Sequence, residues 1–317
     1  MRYRRVAVIG ASGFIGRYVV KRLAARGAVI AAIVRNVEAA KFLSPMGDVG
    51  QIARLSANLL DEPHLAAAIA GADAVVDLVG ILHESGSQRF DAIHHRGPAR
   101  LGALATAAGV KHLVHISALG ADPAAPSAYG RSKAEGEQAL RASFPTATIL
   151  RPSVVFGPED SFFNRFATLA QFLPALPLIG GGKTRFQPVY VGDVADAVVA
   201  ALDKPEAAGQ TYELGGPRIY TFKELMEFIL AETRRKRLLV PVPWAVARCQ
   251  AALLEWLPNP PLTRDQVRSL ERDNVVSPGA RSFKDLGITP DAAEAIVPAY
   301  LDRYRRGGRL GNPHVVT

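Results

Sequence analysis

Val6-Ala7-Val8-Ile9-Gly10-Ala11-Ser12-Gly13-Phe14-Ile15-Gly16 decides the fold. Its first four residues are apolar and read as a short buried strand. A glycine-rich turn follows, then an amphipathic stretch from Arg17 to Arg26. Strand, glycine turn and helix in that order make a dinucleotide-binding opening. Gly10 lets the chain leave the strand tightly. Gly13 lets backbone N–H groups approach a pyrophosphate, and Gly16 lets the helix pack close to the sheet. The helix N-terminus offers unpaired N–H donors and a partial positive charge to the phosphates. Ser12, Phe14 and Ile15 complete the expected cradle.

The rest of the first half repeats the alternation. Strands are expected at Val29 to Val34, Gln51 to Ser56, Ala74 to Leu78, His112 to Ser117 and Thr146 to Leu150, with helices between them. This pattern predicts an α/β protein with a doubly wound parallel Rossmann sheet. Composition agrees. The 317 residues are 49% hydrophobic and 7% aromatic, so the core is mostly small aliphatic side chains, which suits helices on a parallel sheet. No run approaches the roughly 18 apolar residues of a membrane span. The single cysteine, Cys249, excludes an internal disulfide framework. The net charge of +9 favours acidic partners. Nucleic acid is not expected among them, because the basic residues are scattered and no aromatic-interleaved motif accompanies them.

Arg35 follows the second strand, where an acidic residue would bind the adenosine ribose and favour NAD. A guanidinium there pairs with a 2′-phosphate, and the expected ligand is NADP(H) in preference to NAD(H). Asn58-Leu59 after the third strand would lie beside the adenine, and Asp61 reads equally well as a helix cap. Val79-Gly80 would let the backbone pass close to the cofactor, and Pro152 ends the sixth strand at the same edge. His94 and His95 are adjacent and do not face one another on a helix, so no metal site is expected.

Tyr129 and Lys133 are four apart at a helix start and share one face. Ser117 ends the preceding strand. A tyrosine hydroxyl with its ordinary pKa of about 10 is a poor base near neutrality. A lysine ammonium and an oxidised nicotinamide beside it would stabilise the phenolate. Tyr129 would then exchange a proton with a substrate oxygen held by Ser117, while hydride moves at the nicotinamide. The same three groups also bind the nicotinamide ribose, so the set does not distinguish a turned-over cofactor from a retained one.

The G-x-x-G-x-x-G spacing with Ser117, Tyr129 and Lys133 resembles the extended or atypical short-chain dehydrogenase/reductase superfamily. Later phrases narrow the resemblance: Phe156-Gly157-Pro158-Glu159-Asp160-Ser161-Phe162-Phe163-Asn164-Arg165-Phe166, then Asn259 to Val267, Asp273-Asn274-Val275-Val276 and Asp285-Leu286-Gly287-Ile288. These are similar to the NADPH-binding accessory subunit family of respiratory complex I. The resemblance implies a nucleotide held as a structural part and partners in the peripheral arm near the membrane. It also implies a bacterial member working in the cytoplasm, at the cytoplasmic face of the inner membrane. The alternative is a free NADP-dependent oxidoreductase, epimerase or dehydratase acting on a sugar nucleotide, ketone or quinone precursor.

The expected domains are residues 1–156 plus about 189–216 for the nucleotide, and 157–188 plus 217–317 for a smaller lobe that carries substrate or partner contacts. Two stretches of the smaller lobe bear on partners. Phe162, Phe166, Leu169 and Leu173 share a helical face that reads best as core. Val242 to Leu257, with Trp244 and Trp256, follows the basic cluster Arg234-Arg235-Lys236-Arg237, and suits a lipid surface or a protein partner as well as a core. A second basic cluster runs from Arg303 to Arg309.

Overall fold

The computed structural model describes residues 2–257 and 260–308; Asn259 and Arg309, named above, lie outside the described residues. The chain divides into two compact units. The first comprises Met1–Pro152, Val191–Leu214 and Ser277–Thr289. The second comprises Ser153–Tyr190, Gly215–Val276 and Pro290–Thr317.

The first unit holds strands β1 (Arg5–Ile9), β2 (Val29–Val34), β3 (Ile52–Ser56), β4 (Ala74–Asp77), β5 (His112–Ile116), β6 (Thr148–Pro152) and β7 (Thr211–Leu214). They form one sheet in the order 7-6-5-4-1-2-3. Every pair is parallel. This is the doubly wound α/β sheet, and its order reverses beside β1. Ile9 stands opposite Ile33 on one side and Asp77 on the other. The segments after β1, β2 and β4 therefore leave the sheet side by side at the switch point, where such sheets bind ligands.

The helices α1 (Phe14–Ala25), α2 (Glu62–Ile69), α3 (Gly97–Ala107) and α4 (Ala128–Ser143) connect the strands. Ala7, Ile9, Val75 and Leu113 of the sheet pack with Leu65, Leu101 and Leu140 of the helices. Helix α1 starts at Phe14, three residues before the amphipathic pattern becomes clear, because Gly13 is extended and acts as its cap. The helix expected between β4 and β5 is not uniform. Asp91–Arg96 form a π turn before α3. Pro98 has no N–H to bond the carbonyl of His94 four residues earlier, so the ladder widens there. Helix α4 is capped by Ser127, whose hydroxyl accepts from the Gly130 N–H at 3.2 Å. In the helix Val191–Asp203, Asp193 lies buried inside the first turn.

Ser277–Thr289 belongs to the first unit, although its position after residue 217 suggested the smaller lobe. The Glu213 N–H donates to the Arg281 carbonyl at 2.8 Å, and the Glu213 carboxylate accepts from the Ser277 N–H at 2.7 Å. These bonds occupy the free edge of β7, a row of groups that would otherwise need water.

Among its described residues the second unit has three two-stranded pairs: Ala175–Ile179 with Leu238–Val242, Arg185–Phe186 with Tyr220–Thr221, and Val155–Phe156 with Val189–Tyr190. Its core is aromatic, with Phe156, Phe163, Phe186 and Phe222 around Met226, Ile229 and Tyr300. Phe162, Phe166 and Leu169 pack against it. Leu173 and Phe172, at the end of that helix, are exposed. In the helix Trp244–Leu254 only Ala247 and Ala251 are buried. Among the described residues no helix is long and apolar enough to cross a membrane.

Candidate nucleotide site

The site is built within the first unit. Gly10 has φ +80°, a left-handed conformation that only glycine adopts without cost, and its N–H donates to the Ile33 carbonyl at 3.1 Å. A side chain on Gly16 would put its Cβ 2.2 Å from the Gly10 carbonyl oxygen, so the first turn of α1 seats directly on the loop. The Gly13 N–H donates to the Gly10 carbonyl at 2.9 Å. No side chain caps α1, and its first turn carries no acidic residue. Gly13 is exposed, and Ser12, Phe14 and Ile15 are half-buried around it. Backbone donors at a helix start with no competing carboxylate suit a pyrophosphate.

Arg35 is exposed just past β2 and has no hydrogen-bond or ion-pair partner among the described residues. The nearest acid along the chain, Glu38, is engaged by Lys41. Asn58 accepts from the Leu60 N–H at 2.7 Å, so its carbonyl oxygen is spent within its own turn, while Leu59 is buried. That leaves the Asn58 amide nitrogen as a donor. Asp61 caps α2, with its carboxylate 2.8 Å from His64 Nδ1.

After β4 the backbone is tied at two points. The Val79 N–H donates to Asp77 Oδ1 at 3.1 Å, and the Ile81 N–H donates to His94 Nε2 at 3.0 Å. Between them Gly80 is exposed, and a Cβ there would lie 3.2 Å from Lys133 Nζ. Asp77 is itself buried and bonded to His115 Nδ1 at 2.9 Å.

Tyr129 and Lys133 stand on the first two turns of α4. The Lys133 ammonium is buried and donates to the Ile116 carbonyl at 3.3 Å. Burial pulls its pKa down to about 8, against the attraction of Asp77 and Glu137. The Tyr129 ring meets the edges of Phe90 and His94, with centroids 6.0 and 5.5 Å away. Loss of water around its hydroxyl pushes the phenol up to about 12. At neutral pH the phenol keeps its proton, and the ammonium one turn along the same helix is close to its titration point. Pro152 ends β6, and its carbonyl accepts from the Leu119 N–H at 3.1 Å.

Ser117 differs from the sequence expectation. Its hydroxyl donates to Glu137 Oε1 at 2.5 Å, and Glu137 is buried on α4. Arg151 Nε and Nη2 bond the same carboxylate at 2.9 and 2.6 Å. The proton of Ser117 is thus committed to a buried carboxylate and is not presented to a substrate oxygen. Glu137 and Asp77 were not singled out by sequence reasoning, though the Lys133–Glu137 spacing of four was a signal for the first. His94 faces inward, with Nδ1 2.9 Å from Ser132 Oγ, while His95 bonds Asp91 on the exposed side. Among the described residues no group of three His, Cys, Asp or Glu could hold a metal ion.

Fold and site together define a dinucleotide-binding protein of the extended reductase type. The NAD dependent epimerase/dehydratase family matches residues 6–215, and the chain belongs to that family. It is 37% identical over 313 residues to the NADH dehydrogenase [ubiquinone] 1 alpha subcomplex subunit 9 of Arabidopsis thaliana, covering 95% of this chain and 78% of that protein. The subunit of the same name from Mus musculus is 35% identical over 301 residues, with 94% and 80% covered. Among solved structures, the dTDP-glucose 4,6-dehydratase DesIV of Streptomyces venezuelae superposes with a TM-score of 0.74 at 21% identity, covering 96% of this chain and 98% of that one. The last likeness confirms the Rossmann sheet, and the first two place the chain with the alpha subcomplex subunit 9 proteins.

Proposed function

We propose that this protein is an accessory subunit of respiratory complex I that retains NADP(H) as a structural ligand. The observation that carries the reading is the similarity to the alpha subcomplex subunit 9 proteins along nearly the whole chain. Gly10, Ser12, Gly13, Phe14, Ile15 and Gly16 would hold the pyrophosphate, and Arg35 the 2′-phosphate. Asn58 and Leu59 would flank the adenine. Val79, Gly80, Tyr129, Lys133 and Pro152 would lie along the nicotinamide half. The bound nucleotide supplies a hydride site. One of the chain's own groups favours keeping it unreacted: the Ser117 hydroxyl, which would hold a substrate oxygen, is committed to Glu137. A ligand that binds only the folded state stabilises it, by about 2.7 kcal/mol at a hundredfold excess over Kd.

The first unit would serve the nucleotide, and the second would serve docking on the peripheral arm near the membrane. Phe172, Leu238, Leu253 and Trp256 are 79%, 71%, 77% and 85% exposed, and Arg234 to Arg237 stand among them in sequence. Apolar and basic residues of this kind suit an anionic membrane surface beside the complex. The setting would be a bacterial cytoplasm, at the inner membrane.

Affinity purification from the native cells tests the reading. Complex I subunits and stoichiometric NADP(H) are expected to co-purify. Absence of the protein from solubilised complex I overturns it. Arg35→Asp is expected to weaken NADPH binding by about tenfold or more while leaving NADH binding within about twofold, the size of one charge-assisted pair. A free reductase remains the second reading, favoured by Lys133 poised near neutrality on the same face as Tyr129. Carbonyl-dependent NADPH oxidation that disappears in Tyr129→Phe would establish it.

A further inference from the structure

His94 is almost fully buried at the π turn that precedes α3. Its two ring nitrogens make two different bonds. Nε2 faces the Ile81 N–H at 3.0 Å and must accept. In a neutral ring the proton then sits on Nδ1, which donates to Ser132 Oγ at 2.9 Å. Ser132 Oγ in turn donates to the Tyr129 carbonyl at 2.8 Å. The Phe90 ring stacks on His94 at 5.3 Å, and Tyr129 meets it edge-on. A Cβ on Gly136 of α4 would stand 1.7 Å from the His94 carbonyl oxygen, so the helix presses directly on this turn. A single imidazole therefore joins the segment after β4 to the start of α4.

We propose that His94 is a positioning residue which, in one fixed neutral tautomer, sets the Val79–Gly80–Ile81 backbone against Tyr129 and Lys133 and so shapes the nicotinamide half of the site. The inference rests on the nucleotide reading above. Lys133 and His115 are the charged or titratable groups that bear on the ring, and Tyr129 packs against it. Burial, then the charges of Lys133 and His115, hold the imidazole at about 2, so it does not switch in the neutral range.

Three substitutions separate the two bonds. Gln reaches the Nε2 position with an acceptor. Asn keeps a donor opposite Ser132 but falls short of Ile81. Leu fills the space without either. His94→Leu and His94→Asn are expected to weaken NADPH binding by about tenfold, and His94→Gln to recover to within about threefold of the wild type. In the nucleotide-free proteins, amide exchange of Ile81 is measured beside thermal unfolding. Protection at Ile81 is expected in the wild type and His94→Gln, and its loss in the other two. Equal affinities across the series overturn the proposal, as do equal recovery by Asn and Gln or losses that only track the unfolding temperature. If the wild type binds no NADPH, the nucleotide reading falls, and the Ile81 amide alone decides whether His94 holds the segment.

Discussion

Glu137 in the first unit and Asp160 in the second are both buried carboxylates, and they are satisfied in opposite ways. Glu137 takes a two-point bond from the Arg151 guanidinium and a short one from Ser117, and Glu213 stands 3.7 Å from the same guanidinium. Asp160 takes neutral donors: the Tyr300 hydroxyl at 2.7 Å, and the N–H groups of Gly157 and Asn164 at 3.2 Å each. Burial raises the Asp160 pKa, with these bonds only partly opposing it. The first arrangement is an ion pair that fixes β5, α4 and β6 beneath the candidate site. The second joins the Gly157 loop to the helix Ala293–Leu301 of its own unit. A conspicuous sequence phrase can therefore be structural, while an inconspicuous glutamate supports the chemistry-bearing residues.

The largest expected effect breaks the first arrangement. Glu137→Leu leaves Arg151 in a largely buried setting with Glu213 alone, and should cost about 3 to 5 kcal/mol in urea unfolding. The double variant Glu137→Leu with Arg151→Leu should recover most of that loss, because an apolar pair replaces an ion pair at little net cost. A double variant as unstable as the single one would show that Ser117 or Glu213, and not the pair, carries the cost.

Much of this difference was legible in the sequence, and the rest had a physical reason for staying hidden. The glycine loop and its strand are local, so Val6 to Gly16, with the alternation that follows, pointed to the doubly wound parallel sheet that is found. Tyr129 and Lys133 were readable because a spacing of four puts two residues on one helical face. The orientation of Ser117 was not readable. Its partner is twenty residues away and meets it only when α4 packs on β5. The sequence shows His94 and His95 only as helix neighbours, and the π turn that aims His94 inward depends on Pro98 and on the approach of Gly136. The face from Phe162 to Leu169 followed its helical period into the core. Leu173, one turn further, did not, because the helix ends at Phe172.

Acidification should separate the units. His94 and His112 are buried in the first, with pKa values lowered to about 2 and about 4 by loss of water above all. Unfolded histidine titrates near 6.5, so below that pH the unfolded chain binds more protons than the folded one. Stability therefore falls as pH drops from about 6.5, by about 1.4 kcal/mol per pH unit for each residue, with His112 ceasing to contribute near pH 4. Both tryptophans, Trp244 and Trp256, belong to the second unit, so their fluorescence follows that unit alone. Amide exchange in β4 and β5 reports on the first. Between pH 7 and pH 5 those amides should lose protection while fluorescence stays flat. Unchanged protection would mean that the two histidines are solvated and not buried neutral.

The smallest effect is expected at Asp160. Its folded-state pKa is raised, so the folded chain holds the proton more tightly than the unfolded chain does. That contribution favours folding below the unfolded pKa and is lost as pH rises through the folded one, the reverse of the usual paired carboxylate. Burial disfavours the charged form, and the Tyr300 hydroxyl with the backbone N–H groups of Gly157, Asn164 and Phe163 only partly offsets that. Asp160→Asn keeps an acceptor for Tyr300 and removes the charge, so it should lie within about 1 kcal/mol of the wild type at pH 7. Relative to the variant, the wild type should gain as the pH is lowered toward 4. Tyr300→Phe takes away the acceptor's best donor and should cost slightly more, about 1 to 1.5 kcal/mol. Urea midpoints at the two pH values decide the matter. An Asp160→Asn loss as large as that of Glu137→Leu would mean that the second unit, too, depends on a compensated buried charge, and the contrast between the two carboxylates would fail.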